Sequence, residues 1–215
     1  MDSLTTHTDY GSTSLESADL DPNPLRAFAA WLQAAEDAGV YEPNAMVVGT
    51  VDAQGAPSSR TVLLKGLDDS GFEFVTNYSS RKGGEIAGNP AVSLLFPWYS
   101  LNRQVCVRGT AAPTAAAASD AYFARRPRGA RLAALASEQS RPIDDRATLV
   151  SRVAELEVRY PEGVEIPRPA HWGGMRVEPV SVEFWQGRTS RMHDRIRYLC
   201  DPAAATGWQV ERLQP

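Results

Sequence analysis

The apolar positions of the chain change their period several times, and each change marks an element. Residues 1–20 are rich in Ser, Thr and Asp, with few large apolar groups. At Asn23-Pro24 a helical period opens. Asn is a good N-cap, and Pro suits the first helical position because its missing N–H is not needed there. Leu25, Phe28, Ala29, Leu32 and Ala35 then repeat at helical spacing and predict one apolar face, with Gly39 as the stop. Strand-like runs follow at Ala45–Val51 and at residues 59–65 and 72–76, separated by turns at residues 52–55 and 68–71. Residues 79–88 predict a short helix ended by Gly88-Asn89-Pro90. Ala91–Trp98 and residues 104–111 resume strands around a turn at Ser100-Leu101-Asn102. Helices are predicted at residues 114–126, 130–138 and 144–159, then a proline-rich connector at 161–169 and strands at 175–186, 196–200 and 208–213. Tight links between consecutive strands imply an antiparallel sheet. Strands, then helices, then strands closing the sheet predict a mainly β chain of the α+β class: a β-barrel with peripheral helices. The expected organisation is a mobile acidic leader over residues 1–20 and a single domain over residues 21–215.

Composition narrows the function. No apolar run approaches the roughly 20 residues of a membrane span. Asp2, Asp9, Glu16, Asp19 and Asp21 precede the first base, Arg26, which fits neither a secretory nor an organelle-targeting segment. A cytoplasmic protein is expected. Cys106 and Cys200 make neither a disulfide framework nor a metal cluster, and two reduced thiols are expected. His7, His171 and His193 have no metal-ligand spacing, so no metal is expected. His193 beside Asp194 hints at a hydrolytic pair, but no Ser or Cys lies in a nucleophile context such as G-x-S-x-G.

The net charge is −4, unevenly spread: residues 1–42 hold eight acids and one base, so the body carries a mild positive excess. Apart from Lys65 and Lys82 its bases are all Arg, whose planar fork matches phosphate oxygens. No basic stripe or block appears, and no nucleic-acid partner is expected.

Four segments concentrate chemistry. In Arg60-Thr61-Val62-Leu63-Leu64-Lys65 two bases sit in an apolar strand. An odd separation points them to opposite faces, so they share a ligand only if the strand bends; otherwise they serve different parts of a site or simply face water. In Thr76-Asn77-Tyr78-Ser79-Ser80-Arg81-Lys82-Gly83-Gly84 a strand ends in hydroxyls and a helix opens on two bases, which suits an anion or a plainly capped helix. It is neither a P-loop nor a dinucleotide loop. Tyr122 with Arg125-Arg126-Pro127-Arg128-Gly129 sets arginines around a proline, either about an anion or in a solvated loop. The densest segment is Glu183-Phe184-Trp185-Gln186-Gly187-Arg188-Thr189-Ser190-Arg191-Met192-His193-Asp194-Arg195. It can sandwich a planar aromatic ligand and hydrogen-bond its edge, or it is an Arg-rich hairpin.

Together with SLLFPWYSLNRQVCVRG, YFARRPRG, EQSRPI, WGG and a closing ERLQP, these segments resemble the pyridoxine/pyridoxamine 5′-phosphate oxidase family from about residue 22 to Pro215, with a fainter echo at Asp9-Tyr10. The resemblance implies an FMN-binding split β-barrel and a homodimer with FMN at the interface. It implies FMN contacts from Arg60, Lys65, Val75, Thr76, Arg81, Lys82, Gln104, Gln139, Ser140, Trp185 and Arg195, some from the other subunit. It implies a substrate phosphate held by Lys65, Tyr122 and Arg126, with Tyr10 also on the substrate side. Arg191 and His193 are the implied catalytic pair at the pyridine ring. The implied reaction oxidises pyridoxamine or pyridoxine 5′-phosphate to pyridoxal 5′-phosphate with O2 as acceptor. Two other readings stay open: an FMN oxidase of the same fold acting on a phenazine-type intermediate, and a flavin- or pyridoxal-phosphate-binding protein without turnover. The chain departs from the family pattern in four places. Ala130 replaces a common serine, His7-Thr8 a basic pair, Leu135 a common tryptophan, and Val75 a common aromatic.

Overall fold

The computed structural model describes residues 4–6 and 9–215; His7-Thr8 lie outside them. Helix α1 (Pro24–Asp37) begins as its sequence predicts, with the Asn23 side chain accepting from the Leu25 N–H at 2.9 Å. Strands β1 (Ala45–Val51), β2 (Pro57–Asp68) and β3 (Gly71–Asn77) form a meander. After helix α2 (Arg81–Gly88), strands β4 (Ala91–Trp98) and β5 (Arg103–Pro113) form a hairpin. Helices α3 (Ala116–Arg125), α4 (Arg128–Ala136) and α5 (Arg146–Arg159) come next, then β6 (Trp172–Gln186), β7 (Asp194–Cys200) and β8 (Trp208–Arg212).

All pairings are antiparallel. Strand β4 returns to lie beside β1, and β3 pairs with β6, so β1-β2-β3-β6-β5-β4 close into a six-stranded barrel. The 15 residues of β6 serve three neighbours: residues 172–177 pair with β3, 175–186 with β5, and 181–186 with β7. Strands β7 and β8 extend the sheet beyond the ring. Strand β6 starts three residues before the predicted 175. Gly173 and Gly174 lack strand propensity, and pairing with Thr76 and Val75 overrides it.

The barrel core follows the period-two rule. In β1, Met46, Val48 and Thr50 are buried while their neighbours are half-exposed. Helix α1 packs Phe28 against Phe72 and Phe96, with centroids 5.0 and 4.6 Å away, and Trp31 lies 5.1 Å from Phe184. Phe28 is fully buried, so truncation to Ala would cost about 3–5 kcal/mol. Phe123, Leu132, Ile166 and Trp172 form a second core where the helices meet the sheet.

The leader is tied to this body. Leu15 and Leu20 are buried in the main core, and the Leu15 backbone exchanges hydrogen bonds with Asp194 and Arg212. Among the described residues no helix is long and apolar enough to cross a membrane, and no cluster of His, Cys, Asp or Glu is placed to hold a metal ion.

Candidate active site

Strands β2 and β3, the start of α2, helices α3 and α4 and the segment after α4 enclose a cavity of about 920 Å³. That is near the top of the range for small-molecule sites, roughly 300–1,000 Å³. Arg60 and Lys65 both line it. The register of β2 against β3 slips between Leu64 and Gly66, so Lys65 is the extra residue of a β-bulge. The cavity is lined by every residue from Ser58 to Leu63 and by Lys65, so it wraps both faces of β2 along this stretch. Both bases therefore reach one cavity.

One pole of the cavity lies where β3 gives way to α2. Ser80 caps the helix by accepting from the Gly83 N–H, which presents Arg81 and Lys82 beside Thr76. Glu85, one helical turn on, gathers the neighbouring donors. It accepts from Arg81 at 2.8 Å, Arg60 at 3.1 Å, Ser58 at 2.7 Å and Thr50 at 2.5 Å. The hydroxyls of Thr50 and Ser58, aided by the two guanidiniums, pull its pKa down to about 2. Arg60 and Arg81 are therefore braced by a permanent anion.

Lys82 is not. It is buried, and its Nζ donates to Thr76 Oγ1 and Gln139 Oε1, both at 2.8 Å. These partners are neutral, and Lys82 has no ion pair among the described residues. Burial, with the nearby Arg60 charge, lowers its pKa to about 8. A buried ammonium without a counter-ion is unfavourable, and an anion in the cavity would relieve it.

The second pole comes from β2, α3 and the α3–α4 junction: Lys65, Tyr122 and Arg126. The Arg126 guanidinium lies 4.5 Å from the Trp172 ring centroid, and its Nη1 is buried without a hydrogen-bond partner. Desolvation lowers its pKa. Tyr122 stacks on the same Trp172 ring at 6.2 Å. Val75, Gln139 and Ser140 complete the wall, and Ser140 holds a left-handed backbone with φ 71°. Ala130 also faces the cavity, where it offers no hydrogen bond.

Six of the expected site residues lie outside this cavity lining. Gln104, Trp185 and Arg195 are register partners across β5, β6 and β7, so they share one face of the sheet. Arg195 is fixed by Glu183 at 2.7 Å. Tyr10 and His193 pack on Trp185, with centroids 5.8 and 4.7 Å away, and on each other at 5.5 Å. Arg191 is exposed in the β6–β7 loop, where Ser190 and Arg191 both have positive φ, 55° and 62°. Two consecutive non-glycine residues in that region are strained, a recurrent mark of functional loops. The Arg188 backbone N–H donates to His193 Nδ1 at 3.1 Å, which assigns the ring proton of the neutral form to Nε2. Burial, and then the Arg191 charge, lowers the His193 pKa.

Sequence reading did not single out Glu85, Thr50 and Ser58. The spacing Arg81-x-x-x-Glu85 signalled an ion pair, but only the barrel brings Thr50 and Ser58 onto the same carboxylate.

Residues 32–160 match the family model described as pyridoxamine 5′-phosphate oxidase, and residues 172–215 match the pyridoxine 5′-phosphate oxidase C-terminal dimerisation region. A pyridoxine/pyridoxamine 5′-phosphate oxidase of Burkholderia mallei (strain SAVP1) is 52% identical over 208 residues, covering 97% of this chain and 96% of the relative. One from Burkholderia thailandensis is 50% identical over the same length and coverage. Among solved structures, PhzG from Burkholderia lata 383, in complex with tetrahydrophenazine-1-carboxylic acid, has a TM-score of 0.88 and 32% identity, covering 96% of this chain and 100% of that one. A pyridoxamine 5′-phosphate oxidase-related FMN-binding protein from Nostoc punctiforme shares the fold, with a TM-score of 0.69 and 20% identity over 89% of this chain and 97% of that one. With both family models matched in order on a closed split barrel, the chain belongs to the pyridoxamine 5′-phosphate oxidase family of oxidoreductases.

Proposed function

We propose that this chain oxidises pyridoxamine 5′-phosphate, pyridoxine 5′-phosphate or both to pyridoxal 5′-phosphate, using FMN and O2 and releasing H2O2. The observation that carries the reading is one cavity with two cationic poles. Lys82 at one pole and Lys65 and Arg126 at the other lack an ion pair among the described residues. Two phosphorylated ligands side by side, a flavin mononucleotide and a phosphorylated pyridine, match two such poles.

The residues present fit FMN. Lys82 supplies a buried cation that lacks an anion, and Arg60, Arg81 and Thr76 surround it on a scaffold braced by Glu85. When bound, FMN would supply the acceptor for the hydride leaving C4′ of the substrate. Lys65, Tyr122 and Arg126 hold the substrate phosphate and so fix the ring relative to that acceptor. Arg191 and His193 orient the ring, His193 through a proton on Nε2. Both lie outside the cavity lining of their own chain. The match to a dimerisation region supports a homodimer in which the partner subunit's Arg191, His193, Trp185, Gln104 and Arg195 complete the site. For the amine substrate, hydrolysis of the imine then releases ammonia. Two free cysteines suit a reducing, cytoplasmic setting.

A second reading has its own support. PhzG, bound to a tetrahydrophenazine carboxylic acid, shares this fold closely, and Ala130 removes a hydroxyl from the Arg126 pole. The test is oxygen uptake by the purified yellow protein with each B6 phosphate. Consumption of O2 with formation of pyridoxal phosphate is the expected result. Bound flavin with no turnover on either substrate would refute the B6 reading and favour a reduced ring lacking phosphate. Arg191→Ala should keep the flavin and lose turnover; loss of flavin would remove Arg191 from the substrate side.

A further inference from the structure

The Asp194 carboxylate lies immediately after His193, at the start of β7, and joins three distant segments. It is buried, and it accepts from the Leu15 N–H at 3.0 Å, Arg188 Nη1 at 3.1 Å and Arg212 Nη1 at 2.6 Å. Arg212 in turn donates to the Leu15 carbonyl at 2.9 Å and to Glu16 at 2.7 Å. Both backbone groups of Leu15 are thus held by one ion pair. Five residues upstream, the leader meets the β6–β7 loop. The Thr189 N–H donates to the Gly11 carbonyl at 2.9 Å, and Asn102 Nδ2 donates to the Tyr10 carbonyl at 3.1 Å. Gly187 allows this approach, because a Cβ there would meet Tyr10 Cβ and Cγ at 2.9 Å. The outcome is Tyr10 set edge-on to Trp185 and His193.

We infer that Asp194 is a positioning residue that latches the leader to the β6–β7 loop and so holds Tyr10 and His193 in one arrangement for substrate. Its arm to Arg188 fixes the loop whose backbone N–H orients the His193 ring. Its arm to Leu15 fixes the leader, and Arg212 ties both to the C-terminal strand. Three donors on one carboxylate make it a hub: neutralising it releases all three segments together. The role in substrate binding rests on the proposed oxidase reading; the latch itself does not.

Two readouts separate them. In hydrogen exchange on the full-length holoprotein, Asp194→Asn should speed exchange of the Leu15 amide by about ten-fold or more, because a charged acceptor is lost. In steady-state assays with pyridoxamine 5′-phosphate, Asp194→Asn and Tyr10→Ala should each raise KM more than they lower kcat. The double variant should be no worse than the poorer single one, since both act through Tyr10. An unchanged Leu15 exchange rate overturns the latch. KM effects that multiply overturn the coupling to Tyr10, and so would a loss confined to kcat. If Asp194→Asn fails to fold, Arg188→Met cuts one arm only, and its KM effect should be equally non-multiplicative with Tyr10→Ala. A wild-type protein with no B6 turnover but a Leu15 amide released by Asp194→Asn would refute the proposed reaction and sustain the latch.

Discussion

On the proposed reading, Lys82 makes the affinity for the FMN phosphate depend on pH in a way its neighbours do not. In the free cavity its ammonium is buried against Thr76 and Gln139 and beside Arg60, and its pKa falls from 10.5 to about 8. An anion bound within hydrogen-bond reach favours the charged form and raises that value again, by roughly 1–3 units. Binding then takes up a proton wherever free Lys82 is neutral. The sign follows: affinity is full below the free pKa and declines as pH rises above it. With a free pKa near 8 and a bound pKa near 10, affinity at pH 9 is about one-tenth of that at pH 7, a loss of about 1.4 kcal/mol. The surrounding charges stay constant over that interval: guanidiniums remain protonated, and Glu85, held near 2, remains ionised. The phosphate is already a dianion there, its second pKa being about 6.

The assay is fluorescence titration of apoprotein with FMN between pH 7 and pH 9, alongside riboflavin, which lacks the phosphate. FMN affinity should fall about ten-fold and riboflavin affinity should not fall with it. In Lys82→Met the FMN affinity should be weaker throughout, and the decline should vanish. A flat profile in the wild type refutes the reasoning, and so does a decline that survives in Lys82→Met.

Three further outcomes are expected. Glu85 has a folded pKa of about 2 against 4.5 for the unperturbed group, so its stabilisation is full above about pH 4.5 and is lost as pH falls toward 2. Thermal midpoints measured from pH 5 to pH 3 should therefore decline less steeply in Glu85→Gln than in the wild type; equal slopes would show that the carboxylate braces nothing. Ala130→Ser adds a hydroxyl to the cavity wall shared with Arg126, and a hydrogen bond to a charged group is worth about 1.5–3 kcal/mol. KM for pyridoxamine 5′-phosphate should fall by about ten-fold or more, and an unchanged KM would argue against a phosphate at that pole. The His193 pKa is lowered by burial and by Arg191, so an NMR titration should place it below the ordinary histidine value. A value above 7 would contradict the Nδ1 acceptor role.

The barrel was legible because its strands alternate and its turns carry Gly, Asp and Asn at the right places. The first helix was legible from its cap, Asn23, which accepts a backbone N–H of the first turn; Ser80 and Asp145 cap α2 and α5 in the same way, while α3 and α4 carry no side-chain cap. Strand β6 was read three residues short, because its first residues are strand only by virtue of β3. The same limit applied to the leader. Its polar composition suggests mobility, yet Leu15 and Leu20 enter the core, and the hydrogen-bond partners of Leu15, Asp194 and Arg212, lie some 180 and 200 residues away. Local composition carries no information about contacts at that separation.

Arg60 and Lys65 show how a residue-level rule can be right and still leave its exception open. Alternation assigns them to opposite faces, and the sequence offers two ways out, a bend or separate roles. The structure supplies an irregularity, one extra residue at the Leu64–Gly66 step, and a cavity that wraps both faces of β2 and so takes in both bases. It does not make their roles equal. Arg60 is paired with Glu85 within the braced pole, while Lys65 stands at the other pole without an ion pair among the described residues. One strand thus serves both poles. Deleting Lys65 would restore regular pairing, leave Gly66 and the residues after it on the faces set by their β3 partners, and remove a cation from the second pole only. Such a variant should keep FMN and lose affinity for the B6 phosphate; loss of both together would mean that the two poles act as one site.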